Sequence, residues 1–152
     1  MSRHPLKKRH IIKPDPLYDS ILIQKIINQL MKKGKKTLAR KIINRTIQQI
    51  ESKTQQDPVH IIEQGIANIT PAVEIKARRI GGAVYSIPIE LSSERGISIA
   101  IRWVIDCCKT KSGQSFIPKL ANEFIDASKK MGSAVRKRDE VHKAAESNAR
   151  LI

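Results

Sequence analysis

The chain has 152 residues and carries 29 Lys+Arg against 14 Asp+Glu, a formal net charge of +15. That length predicts one domain burying roughly 70% of its unfolded surface, and that charge favours a polyanionic partner whose binding releases counterions. Aromatic residues at 3% argue against base stacking on an aromatic sheet, and no apolar run approaches the ~20 residues of a membrane span.

Residues 1–14 hold Arg3, Lys7, Lys8, Arg9 and Lys13 with no acid, which predicts a flexible basic tail that orders on a polyanion. No sustained apolar segment follows it, so it is not expected to be a secretory signal. Asp15-Pro16 supplies a helix-opening signal, predicting a first helix to about Met31 with Leu22, Ile26, Ile27 and Leu30 inward. Gly34 ends it, and a second helix carries Leu38, Ile42, Ile43, Ile47 and Ile50 to about Ser52. Asp57-Pro58 starts a short third helix with Val59, Ile62 and Ile66 inward.

Residues 73–91 read as two strands around Gly81-Gly82. Val73, Ile75 and Ala77 alternate with Glu74, Lys76 and Arg78, and Tyr85, Ile87, Ile89 and Leu91 share a face of the second strand. Paired glycines permit the positive φ angles of a tight hairpin turn, and Pro88 confines the ribbon to an edge or an isolated arm. Ser92 or Ser93 caps a fourth helix with Ile97, Ile101, Val104, Ile105 and Cys108 on one side. Ser115 opens a fifth with Leu120, Ala121, Phe124 and Ile125 inward, and Gly132-Ser133 precedes a polar sixth. The expected fold is mainly α: a six-helix single domain over residues 15–152 with a protruding two-stranded β-hairpin arm.

Between Asp19 and Glu51 there is no acid, while Lys25, Lys32, Lys33, Lys35, Lys36, Arg40, Lys41 and Arg45 give eight positive charges. A solvated helix face mixes signs to gain i,i+4 pairs. A single-signed face forgoes them, which points to phosphate, above all at Lys32, Lys33, Lys35 and Lys36. Gly34-Lys35-Lys36-Thr37 resembles the end of a P-loop, but its first glycine is missing and a helix precedes it, so no nucleotide site is expected. Lys76, Arg78 and Arg79 reach the tip of the arm, where nucleic-acid contact is favoured over edge protection. Tyr85 either stacks on a base or sugar or covers the arm's root.

Lys109, Lys111 and Lys119 flank Ser112-Gly113-Gln114-Ser115, a further candidate phosphate site. Arg136-Lys137-Arg138 open the last helix ahead of Asp139-Glu140, the reverse of what the helix dipole prefers. Trp103 is expected in the core, and Cys107 and Cys108 as reduced thiols in or near it. The four histidines lack ligand spacing and no catalytic set is recognisable, so neither a metal, a cofactor nor an enzyme activity is expected.

Asp15-Pro16, Asn28-Gln-Leu-Met-Lys-Lys-Gly-Lys-Lys36, Pro71, Val73-Glu-Ile-Lys-Ala-Arg-Arg-Ile-Gly-Gly82, Ala100-Ile-Arg-Trp103, Leu120-Ala-Asn-Glu123 and Gly132 to His142 together resemble the small-ribosomal-subunit protein seven family, over about residues 14 to 149. The resemblance implies a helical body with a β-hairpin arm that binds the 3′ major domain of small-subunit rRNA and nucleates assembly of the subunit head. It assigns the basic tail, Lys32 to Lys36, Lys76, Arg78 and the Lys109–Lys111 loop, with Lys119 beside it, to rRNA. It puts Arg79, Gly81, Gly82, Tyr85 and the Arg136, Lys137, Arg138 helix start near the exit-site tRNA and mRNA. The eleventh protein of the small subunit is an implied neighbour.

The chain departs from relatives at Phe116, where many carry Met. Contacts through an aromatic C-terminal tail are not expected, because the sequence stops at Ile152. The Asp-Pro-Leu-Tyr18 opening is similar to the bacterial and plastid branch. Isoleucine outnumbers leucine 25 to 8 and lysine outnumbers arginine 18 to 11. That skew, with no transit peptide apparent, points to a plastid-encoded copy, the alternative being a bacterial one. The competing reading is an architectural DNA-binding protein, against which stands a Gly-Gly tip without an intercalating wedge.

Overall fold

The computed structural model describes residues 11–149, so Arg3, Lys7, Lys8 and Arg9 of the expected tail lie outside the described residues. Six helices and one antiparallel hairpin follow in the expected order: α1 (Ile21–Leu30), α2 (Lys36–Thr54), α3 (Pro58–Ile69), β1 (Val73–Ile80), β2 (Ala83–Glu90), α4 (Ser93–Thr110), α5 (Phe116–Ser128) and α6 (Ser133–Ala149).

The first helix starts later than its Asp-Pro signal predicts. Asp15 is buried and closes a turn instead, its carboxylate accepting from the Leu17 N–H at 3.1 Å and its carbonyl from the Asp19 N–H at 2.8 Å. An aspartate before proline serves a turn as readily as a helix start. Ser20 is the cap, its hydroxyl accepting from the Ile23 N–H at 3.4 Å. At α3 the same Asp-Pro pair does cap the helix, with Asp57 accepting from the Val59 N–H at 3.0 Å.

α5 packs against α2, α3, α4 and α6, while α1 lies against α2 and α4. Their shared core is largely isoleucine, including Ile26, Ile27, Ile43, Ile47, Ile50, Ile62, Ile66 and Ile101, closed by Leu120 and Phe124. Two core expectations need correction. Leu38 is 52% exposed, because it sits in the first turn of α2 beside an open pocket. Trp103 is half-buried at the rim, with the Lys137 ammonium 5.8 Å from its ring centroid.

Close approach of α3 and α5 depends on Gly65, where a Cβ would stand 3.2 Å from the Phe124 carbonyl oxygen. Next to it the Asn68 amide donates to the Ala127 and Ser128 carbonyls at 2.9 and 3.2 Å, satisfying the end of α5. Arg138 of α6 donates to the Asn68 carbonyl, tying a third helix to the same point.

The arm turns at Gly81 and Gly82, with φ of +57° and +92°. Its register pairs Ile80 with Ala83 and Val73 with Glu90. Pro88, which has no N–H to donate, pairs with Ile75 at a non-hydrogen-bonded position of the ladder, counted in alternate pairs from the Leu91 N–H to Ala72 carbonyl bond at 3.0 Å. The register also sets the apolar residues of the two strands on opposite faces: Val73, Ile75 and Ala77 share a face with Glu90, Pro88 and Ser86. Neither face is apolar enough to bury along its length. Only the root is half-buried, where the arm rests on α6, and Lys76 to Ser86 are exposed.

Candidate nucleic-acid interface

The acid-free stretch becomes the α1–α2 turn and the outer side of α2. Lys32, Lys33 and Lys35 line a pocket of about 430 Å³, and Lys109 of α4 closes it from the other side. Lys36 and Arg40 face a neighbouring hollow together with Lys13. Lys109 also borders a third hollow with Arg102. Tertiary structure thus gathers cations from the N-terminal segment, the turn, α2 and α4 into one run of surface. Lys32, Lys33, Lys35 and Lys36 are all exposed, while Arg40 lies 3.5 Å from the buried Asp15 carboxylate.

On the arm, Arg78 and Arg79 are exposed on opposite faces, Arg78 across from Tyr85 and Arg79 across from Val84. Tyr85 is 47% exposed and lies near the tip, so it does not cover the root. Lys76 is held lower down: its ammonium is 2.9 Å from Glu74, which also receives a fork from Arg95, at 2.8 Å for the closest contact. Those bonds, Arg95 first and Lys76 second, hold the Glu74 carboxyl below the usual carboxylate range. Arg95 and Lys76 thus both pair with Glu74 at the arm's base, and Lys76 stays exposed together with Arg78 and Arg79.

Lys111 and Lys119, expected at a phosphate loop, are half-buried and line a surface hollow with Ser112 and Gln114, and each also pairs with a group of the fold. Lys111 donates to Glu123, and Lys119 donates to the Lys111 carbonyl at the end of α4. Glu123 is fully buried on α5, and its other oxygen accepts from the Ala134 N–H at 2.8 Å. One carboxylate thereby joins the end of α4 to the start of α6. Burial opposes charge on Lys111, but the hydrogen bond and field of Glu123 outweigh it and raise its pKa above lysine's ordinary value. The same surroundings act on the thiols: burial, then Glu123, push Cys108 up to about 12, and Cys107 is raised too.

At the start of α6, Arg136 is exposed, Lys137 covers Trp103, and Arg138 is turned inward onto Asn68 and Asp139. Sequence reasoning did not single out Arg102, although its seven-residue spacing to Lys109 puts both on one side of α4. It also missed Glu123 as a buried keystone, since nothing in a lone glutamate marks it as unexposed. Among the described residues no three His, Cys, Asp or Glu side chains cluster as a metal site would need. No described helix is long and apolar enough to cross a membrane.

A family model described as ribosomal protein S7p/S5e matches residues 1–149. The chain belongs to this family. Curated relatives include the small ribosomal subunit protein uS7c of Tupiella akineta, 51% identical, and that of Chlorella vulgaris, 50% identical. The small ribosomal subunit protein uS7 of Acaryochloris marina is 47% identical. Each alignment covers 97% of this chain and 95% of the relative. Relatives with the plastid suffix and bacterial ones both match, in keeping with the branch implied by the Asp-Pro-Leu-Tyr opening. The family is one of structural proteins of the small ribosomal subunit, not of enzymes, and the cationic surface is to be read in that setting.

Proposed function

We propose that this chain binds the 3′ major domain of small-subunit rRNA and nucleates assembly of the subunit head. In this reading, residues 1–14 form a basic tail and residues 15–152 an rRNA-binding domain that includes the arm. The observation that carries it is the run of exposed lysines at the α1–α2 turn, Lys32, Lys33, Lys35 and Lys36, joined on one surface by Lys13, Arg102 and Lys109. Such a surface holds phosphates in register, and low aromatic content leaves shape and backbone as what is read.

Arg3, Lys7, Lys8 and Arg9 would extend the same contact, and Arg78 would add to it from the arm. The tip, from Arg79 through Gly81 and Gly82 to Tyr85, would lie near the exit-site tRNA and mRNA. Arg136 and Lys137 would face the same path. Lys76, Lys111 and Lys119 would also contact rRNA, and Arg138 would lie near the tRNA and mRNA path, while their pairing with Glu74, Glu123, the Lys111 carbonyl and Asn68 holds the arm's base and the helix ends in place. The eleventh small-subunit protein would neighbour the tip, and the plastid stroma is the compartment favoured over a bacterial cytoplasm.

The test is binding to an rRNA 3′-domain fragment, compared with duplex DNA of equal length and with unrelated RNA, across a salt series. Preference for the fragment that survives high salt is expected. Equal binding to all three, collapsing together as salt rises, would reduce the chain to a generic polycation.

A further inference from the structure

The pocket between α1, α2, α4 and α5 has a character that phosphate binding alone does not explain. Its floor is apolar, with Leu38 open to solvent and Ile42 and Phe116 half-covered, while its rim is Lys32, Lys33, Lys35 and Lys109. Among the described residues, the rim lysine with an acidic neighbour is Lys109, whose ammonium lies 3.5 Å from Asp106. An exposed leucine in the first turn of a helix contributes little to the body's own packing. Ringing it with ammonium groups matches a ligand that is flat and apolar in the middle and anionic on both sides.

We infer that this pocket receives one unstacked nucleobase of the rRNA, with the phosphates flanking that nucleotide held by the rim lysines. The inference rests on the rRNA-binding reading above and adds a base-recognising subsite to it. A nucleobase has the required shape, since its faces are apolar and its backbone neighbours are anionic. The volume, about 430 Å³, lies in the range of pockets that take small planar groups. A lipid surface fits less well, because membrane association uses a projecting apolar face and this one is recessed.

Leu38 is exposed, so Leu38→Gln can be made without opening the core. Binding of wild type and variant to the 3′-domain fragment would be measured across a salt series, with base-edge chemical probing of both complexes. The variant is expected to bind about ten-fold more weakly, the scale set by covering the open part of a leucine side chain. Its salt slope is expected to match wild type, because the phosphate contacts remain. One unpaired base protected in the wild-type complex should become reactive in the variant.

Equal affinity of wild type and variant for the fragment would overturn the subsite alone, and would leave the floor to a neighbouring protein side chain. A reduced salt slope in the variant would also overturn it, by showing that the weakening came through the lysines. A wild-type chain without preference for the fragment would instead overturn the parent reading.

Discussion

Replacing Glu123 by alanine should destabilise the body by about 2–4 kcal/mol. The larger part is the bond from the Ala134 N–H at 2.8 Å, a buried charge-assisted hydrogen bond of roughly 1.5–3 kcal/mol. The Lys111 pair adds less, about 0.5–1 kcal/mol, because the Lys111 side chain is 37% exposed and can find water when its partner is gone. At about 2–4 °C per kcal/mol for a chain of this size, the fall in Tm is roughly 4–16 °C. Glu123→Gln keeps an oxygen for the Ala134 N–H but turns amide hydrogens toward Lys111, so it should lose about half as much.

Urea unfolding followed by far-UV circular dichroism measures both variants. The gap between wild type and Glu123→Ala should also depend on pH. Lys111 has a folded pKa above its unfolded value, so its contribution is complete below about 10.4 and is lost as pH rises through the raised value. An alanine variant within about 0.5 kcal/mol of wild type would refute the view that this carboxylate joins α4 to α6.

Four further outcomes are expected. Replacing Lys35, Lys36, Arg78 and Arg79 together by Ala should weaken rRNA-fragment binding and flatten its salt dependence by roughly 0.7–0.9 for each phosphate no longer neutralised; an unchanged slope removes these residues from the interface. Gly65→Val should cost about 1–3 kcal/mol by overpacking against Phe124 and Ala127, read from urea midpoints, and a neutral variant would show that α3 and α5 can part freely. Gly82→Val forces a side chain onto a φ of +92°, so trypsin should cut faster after Arg78 and Arg79 while the helical signal at 222 nm stays. A vanished helical signal would instead make the arm part of the core. Cys108 should resist iodoacetamide at pH 8 until the chain unfolds, with Cys107 slowed less; mass spectrometry of a native sample showing rapid Cys108 labelling would contradict its burial.

The elements were largely legible in the residues because local rules govern them. Apolar residues at helical spacing, mostly isoleucine, mark α1 to α5, Asp57-Pro58 marks the start of α3, and Gly81-Gly82 permits a tight turn. Where a local signal has two uses the reading slipped, as at Asp15-Pro16, whose aspartate closes a turn rather than capping α1. Leu38 has the right spacing for the core, yet spacing cannot say where the neighbouring helices stop.

The charge excess and the acid-free stretch from 20 to 50 were set by sequence alone, and so was the need for a polyanion. Where those cations sit, and what each is paired with inside the fold, was decided by tertiary structure. Lys32 and Lys35 meet Lys109 across some seventy residues of chain, whereas Lys111, Lys119 and Arg138 are drawn onto Glu123, a helix-end carbonyl and Asn68. A charge count gives each lysine equal weight. Packing does not, because helix ends and buried carboxylates left without partners cost more than a surface cation gains in water.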